Sequence, residues 1–434
     1  MALSPIDSRY SADTQRLIGK IDEFAYYKNR VEVEIRYFSK IIGQPIHLPE
    51  FTKQDFNKIM EKEKILRHDV KAIEYYIKEL PQVRETGKAH LVHIGLTSQD
   101  ACSLGFGLCI RDATSELLNR FTVLENTISS QLMSPNTANI YMLGYTHGQP
   151  ATPTNFMKEM VIYHTRLFKT HQQIAKILAD RLTVKFGGAT GEFNAMKFCC
   201  PDINWTTWCD EFVAEFATPS CHFARSSYTN QCDNYDSICE LLFALKLYLL
   251  AMEHLRGNLW LYIHRGYVTQ TAVSTEIGSS TMPNKINPID LENAKTAIEL
   301  AKRMIDGVAD ILNETSYQRD VSDSSALRNI AAIYGYILIA VEKMINGIRR
   351  LKPNKEQIRQ ELDEHPEVIL EGIQTYLKYH CGVENAYELA KNISRGKQIS
   401  LYDIKLFIDG LDIAENHKKK LKELEPTNYT GIFN

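Results

Sequence analysis

The sequence predicts a mainly α-helical protein of three helical domains, the central one built on a bundle of five long helices, with a short β-hairpin at most. Two observations carry this: long proline-free stretches, and apolar residues at helical spacing inside them. The chain has no proline between Pro81 and Pro135, Pro153 and Pro201, Pro219 and Pro283, or Pro288 and Pro353. Proline costs about 3 kcal/mol in a helix interior, so very long helices are confined to such stretches.

Taken in order, the first part of the chain is helical in pattern but less apolar, and is read as a first domain over residues 1–98. The central domain, 99–352, begins with helices at about 99–132 and 154–183. Between Leu182 and Asn194 the run TVKFGGATGEFN reads as a short hairpin or a glycine-rich turn. Gly187, Gly188 and Gly191 lack the G-x-G-x-x-G spacing and the Lys-Ser/Thr of a phosphate loop. The segment from Ile238 to about Tyr262 is apolar on most of its circumference, as expected of a helix surrounded by others of its own or a neighbouring subunit. After Asn287-Pro288 come Leu291, Ala294, Ile298, Ala301, Ile305, Val308 and Leu312, and then Ile330, Tyr334, Ile337, Val341, Met344, Ile348 and Leu351. Both sets step by three and four, the stripe of a bundle helix. A third helical domain follows over 353–434.

Composition narrows the class. The 434 residues carry 50 basic and 53 acidic side chains, a net charge of −3, with 44% hydrophobic and 24% charged residues. That balance excludes general disorder and argues against a chain that coats nucleic acid, while leaving room for one concentrated anion site. The apolar run Leu241–Met252 is interrupted by Lys246 and falls short of the roughly 20 residues of a membrane span. MALSPIDSRY shows no signal peptide, and nine scattered cysteines show neither a disulfide framework nor a C-x-x-C site. The expectation is a cytoplasmic protein without nucleic-acid or membrane partners.

Four segments interrupt the helical pattern with polar residues that a bundle does not need. Gly278-Ser279-Ser280-Thr281-Met282-Pro283-Asn284-Lys285-Ile286-Asn287-Pro288 combines a mobile hydroxyl-rich stretch with a lysine beside a helix start, and suits closure over an anion. Asn287, Pro288 and Asp290 also read as cap, first and third positions of the next helix. Tyr145-Thr146-His147-Gly148-Gln149-Pro150 puts a histidine on a turn leading into a long helix, a candidate general acid or base. Arg67-His68-Asp69-Val70-Lys71, with Glu74 one turn on, reads either as a charged helix face or as a histidine whose tautomer a carboxylate sets. Thr97-Ser98-Gln99-Asp100 and Ser324 read as helix caps, but capping does not explain Arg319 and Arg328, which suit bidentate recognition of carboxylate or phosphate. No metal-ligand spacing, nucleophile elbow or dinucleotide fingerprint competes, so neither metal nor cofactor is expected.

These residues carry a resemblance. GSSTMPNKINP resembles the signature loop of the fumarase/aspartase superfamily. Its combination with THGQPATP, RHDVKAIEYY, HIGLTSQD and QRDVSDSSALRN is similar to the adenylosuccinate lyase family, over nearly the whole chain. The resemblance implies a homotetramer whose active sites are shared between subunits, acting on succinyl-purine nucleotides by β-elimination of fumarate. It implies Ser279 as general base and His147 as general acid. It also implies a substrate site of Arg9, Tyr10, Arg67, His68, Asp69, Thr97, Ser98, Gln231, Ser280, Lys285, Asn287, Asn293, Arg319, Ser324 and Arg328. His68 either contacts the phosphate end or assists proton transfer. The sequence departs from the family at Asn284, where several relatives carry histidine, and at Tyr235, where a related pattern has histidine. The alternatives are another fumarate-releasing lyase, such as argininosuccinate lyase, or an inactive member of the fold.

Overall fold

The structure, a computed structural model, describes residues 3–47, 49–273, 275 and 281–433. The chain forms two compact units. One comprises the chain up to Leu124, Leu167–Glu253 and Glu292–Met344; the other comprises Glu125–Arg166, His254–Leu291 and Ile345 to the C-terminal end.

The mainly helical class holds. We label the helices that bear on the site α1 (Glu23–Ile42), α2 (Lys53–Leu66), α3 (Asp69–Glu79), α4 (Ser98–Leu132), α5 (Phe156–Asp180), α6 (Asp236–His264), α7 (Ile289–Leu312), α8 (Ser322–Arg328) and α9 (Ile330–Arg349). The five long helices expected from the proline-free stretches are α4, α5, α6, α7 and α9, each within a few residues of the expected bounds.

In the first unit these helices pack through buried side chains. Phe121 of α4 stacks on Tyr248 of α6 with centroids 3.8 Å apart, and Thr114 hydrogen-bonds the hydroxyl of Tyr334 on α9 at 2.7 Å. Arg120 grips Glu342 through two bonds of 2.6 and 2.8 Å, a bidentate pair that fixes the register of α4 against α9. A second apolar cluster, with Tyr27, Val31, Ile35 and Phe38 of α1, Ile59 of α2 and Ile73 and Ile77 of α3, builds the N-terminal layer. In the second unit, Leu143 packs with Leu362, Ile369, Ile373, Leu377, Ile404 and Ile408.

The β-structure differs from expectation. The run after Leu182 forms no hairpin: β3 (Leu182–Val184) pairs in parallel with β4 (Phe223–Arg225), and the glycines that follow turn the chain instead. The hairpin lies at β1 (Tyr141–Thr146) and β2 (Gln149–Asn155), and a third pair joins β5 (Val268–Gln270) to β6 (Leu351–Pro353). Strands of three residues are too short to show alternation, and Pro150 and Pro153 mask β2, tolerable there because a two-stranded ribbon has free edges. Among the described residues one stretch, Ser322–Arg349, is apolar and long enough to cross a membrane by composition, and most of it is buried inside the protein.

Candidate active site

In the first unit, α2 ends at Arg67, which takes a left-handed conformation (φ 52°) and donates its backbone N–H to the Glu63 carbonyl at 2.7 Å. The chain reverses there, and His68 becomes the cap of α3: its Nδ1 accepts from the backbone N–H of Lys71 at 3.2 Å. With Nδ1 engaged as an acceptor, the exposed ring keeps Nε2 for exchange with solvent or ligand. The expected charged helix face is only part of the picture. Glu74 is buried and salt-bridged by Lys71 and Lys78, while Asp69 turns inward.

Asp69 sits between two arginines. Its Oδ2 lies 2.7 Å from Arg30 Nη1 and 3.5 Å from Arg328 Nη2, and its Oδ1 caps Val70 N at 2.8 Å. Burial alone would raise its pKa, but the Arg30 charge and hydrogen bond outweigh it and hold the carboxyl below the ordinary carboxylate range. The Arg30 guanidinium is fully buried and lies 4.2 Å from each of the Tyr26 and Tyr27 ring centres. Arg328 also pairs with Glu23 at 2.9 Å and donates to Ser324 Oγ at 3.0 Å. Ser324 therefore does not cap the Ile330 helix as expected. It lies inside α8, a separate short helix that ends at Asn329. Arg30 lies in a tyrosine-rich run that reads from sequence as ordinary helix, so nothing local marks it.

Thr97 and Ser98 open α4. Asp100 accepts from Thr97 N at 2.7 Å and from Gly187 N at 2.8 Å, and pairs with Lys185 Nζ at 2.6 Å; both side chains are completely buried. Burial lowers the Lys185 pKa, with Asp100 opposing that shift. The glycine loop is thus tied to the start of α4 by one carboxylate. Upstream, His93 (φ 65°) pairs with the buried Glu34 at 2.5 Å. Burial disfavours its cation, but Glu34 prevails and the pKa is raised. His93 lies within the HIGLTSQD motif but was not among the expected site residues.

Gln231 and Arg319 meet: Arg319 Nη1 lies 3.4 Å from Gln231 Oε1, and Nη2 lies 3.5 Å from Asp323 Oδ1. Arg9 is exposed in a turn, and Tyr10 beside it faces Lys343, whose Nζ lies 6.0 Å from the ring centre. Asn293 is half-buried on α7.

In the second unit, His147 and Gly148 are the two central residues of the β1–β2 hairpin, with φ of 53° and 72° between the paired Thr146 and Gln149. Two left-handed residues in a row define a type I′ turn, in which asparagine-glycine is the common choice. A histidine held there stands exposed at the tip of a ribbon rather than on a turn leading straight into a helix. The ribbon is anchored close to its tip, at Tyr145, which pairs with Pro150. The Tyr145 hydroxyl donates to Glu361, Arg265 Nη1 donates to Glu361 at 2.7 Å, and the Arg265 guanidinium lies 4.0 Å from the Tyr145 ring centre. Burial and the Glu361 carboxylate push the Tyr145 hydroxyl up to about 12. Lys285 is exposed, its backbone N–H bonded to Met282 O at 3.1 Å, and Asn287 is half-buried two residues before α7. Ser279 and Ser280 lie outside the described residues.

The helical fold and the similarities of its sequence make the chain a lyase of the fumarase/aspartase superfamily. Residues 24–301 match the family described as "Lyase", and residues 315–430 the family described as "Adenylosuccinate lyase C-terminal". The chain belongs to the adenylosuccinate lyase family. It is 35% identical to an adenylosuccinate lyase of Legionella pneumophila (strain Corby), covering 99% of this chain and 96% of the relative. It is 34% identical to that of Dictyostelium discoideum (100% and 97%) and 33% identical to that of Escherichia coli strain K12 (99% and 96%). Its fold is shared with a fumarate lyase from Mesorhizobium sp. BNC1 (TM-score 0.73, 16% identity, 96% of this chain and 95% of that one). A β-carboxy-cis,cis-muconate cycloisomerase from Acinetobacter calcoaceticus sp. ADP1 shares it too (TM-score 0.69, 16% identity, 98% and 97%).

Proposed function

We propose that this lyase eliminates fumarate from adenylosuccinate, giving AMP, and from SAICAR, giving AICAR. The observation that carries the reading is similarity across the whole chain to proteins named adenylosuccinate lyase. In the elimination a base removes a proton from the succinyl carbon next to a carboxylate, the electron pair forms the fumarate double bond, the C–N bond breaks, and an acid protonates the leaving nitrogen. His147 is our candidate acid and Ser279 our candidate base, its alkoxide and the dianionic intermediate being stabilised by Lys285. Arg319 and Arg328 supply positive charge for binding the anionic substrate, and His68 is exposed beside Asp69, the carboxylate that pairs with Arg328.

The reading includes a homotetramer with active sites shared between subunits. It is supported by α6, where Phe243, Leu247 and Leu250 are 49%, 45% and 42% exposed on one face, a large apolar stripe for a surface helix. The division into helical domains at 1–98, 99–352 and 353–434 belongs to the same proposal. So does a cytoplasmic location, which nine unpaired cysteines support.

The test is spectroscopic measurement of fumarate release from adenylosuccinate, SAICAR and argininosuccinate. Turnover of the two purine substrates and not the third is expected. Turnover of argininosuccinate alone would assign the chain to a different fumarate-releasing lyase.

A further inference from the structure

Asp323 sits in the first turn of α8, 4% exposed, yet its contacts reach far beyond that helix. Its Oδ2 accepts from Gln99 Nε2 on α4 and from the Tyr235 hydroxyl, each at 2.7 Å. Tyr235 immediately precedes α6 and has φ 59°, a left-handed conformation that a bulky side chain adopts only where its surroundings over-determine it. Here the hydroxyl is aimed at a carboxylate in the interior.

The strongest bonds to this buried carboxylate come from neutral donors. Arg319, the cation beside it, stays at 3.5 Å from Oδ1 and at 3.4 Å from Gln231 Oε1, well outside the 2.7–2.9 Å of a closed charge-assisted bond. Arg319 Nε is buried without a partner among the described residues, and so is Oε1 of Gln99, a side chain 2% exposed. An arginine that is faced by a carboxylate but not closed onto it keeps donors for another anion. The two neutral donors hold Asp323 back from a bidentate pair that would consume the guanidinium.

We propose that Asp323, held by Tyr235 and Gln99, is the positioning residue that presents Arg319 to an anionic group of the succinyl-nucleotide. The proposal rests on the function proposed above. A buried polar network that only stabilised the fold would affect melting temperature and the fraction of active enzyme, and would leave KM unchanged.

The experiment is a double-mutant cycle on the full-length enzyme with Asp323→Asn and Arg319→Gln, following fumarate release from adenylosuccinate alongside thermal melting. Asp323→Asn is expected to raise KM about 10-fold with kcat changed less than about 3-fold, and to add less than about 2-fold to KM when Arg319→Gln is already present. An unchanged KM, or effects that multiply in the double variant, would overturn the proposal. If Asp323→Asn fails to fold, Tyr235→Phe, which removes one hydroxyl, carries the same criterion with a KM rise of about 3-fold. Wild-type enzyme inactive on both purine substrates would overturn the functional reading and this proposal with it. Active wild-type enzyme with a multiplicative cycle would overturn the positioning role alone.

Discussion

Arg30 Nη1 lies 2.7 Å from Asp69 Oδ2, joining a completely buried cation on α1 to a carboxylate that is 27% exposed at the start of α3. The burial is unequal, so the two partners respond differently to removal. Asp69→Ala leaves Arg30 buried without its counter-charge, and a loss of about 3–5 kcal/mol is expected in urea unfolding. Arg30→Met leaves Asp69 with Arg328 and solvent, and a smaller loss is expected. Equal losses would show that burial does not set the energetics of this pair.

His147 combines turn geometry with the proposed proton transfer, and two substitutions separate them. Asparagine suits a type I′ turn, so His147→Asn is expected to leave circular dichroism and melting unchanged. Fumarate release should fall by at least about 10²-fold, the lower end of general acid contributions. Turnover near that of the wild type would remove His147 from the mechanism.

Gly144 lies where β1 shifts register against β2, and a Cβ built there would sit 2.4 Å from the Thr152 carbonyl oxygen. The obstacle is backbone, so the ribbon must open to accept it. Gly144→Ala is expected to cost about 1–3 kcal/mol in stability and to lower turnover through displacement of the His147 tip. Unaltered melting would contradict this close approach.

Asp233 is fully buried, and burial pushes its carboxyl up to about 6 despite hydrogen bonds from Ser226 and the Asn234 backbone. An unfolded aspartate titrates near 3.9, so between about pH 4 and 6 the folded state holds more protons than the unfolded state. Stability is therefore expected to fall as pH rises through this window and to level off above it. Asp233→Asn should flatten the curve. Urea midpoints from pH 4 to 8 check this, and parallel curves for the two proteins would refute it.

Leu247 lies at the centre of the exposed stripe on α6. Under the proposed tetrameric assembly, Leu247→Asp is expected to shift sedimentation from tetramer to smaller species and to reduce activity in proportion. A variant that remains tetrameric would place the subunit contact elsewhere.

The sequence by itself determined the long helices, because proline exclusion and a three–four apolar step act among near neighbours and need no knowledge of packing. It also singled out the polar segments, since Ser279, His147, His68 and Arg328 interrupt that pattern. Tertiary structure decided what those residues touch. Arg328 reaches Asp69 from 259 positions away, and Asp323 gathers Gln99 and Tyr235 from two other helix starts. Such pairings depend on how helices pack and leave no local period. The same reason explains the misread strands: β3 finds its partner β4 across intervening helices, and the His147 ribbon is held by Glu361, which no spacing in the sequence connects to it.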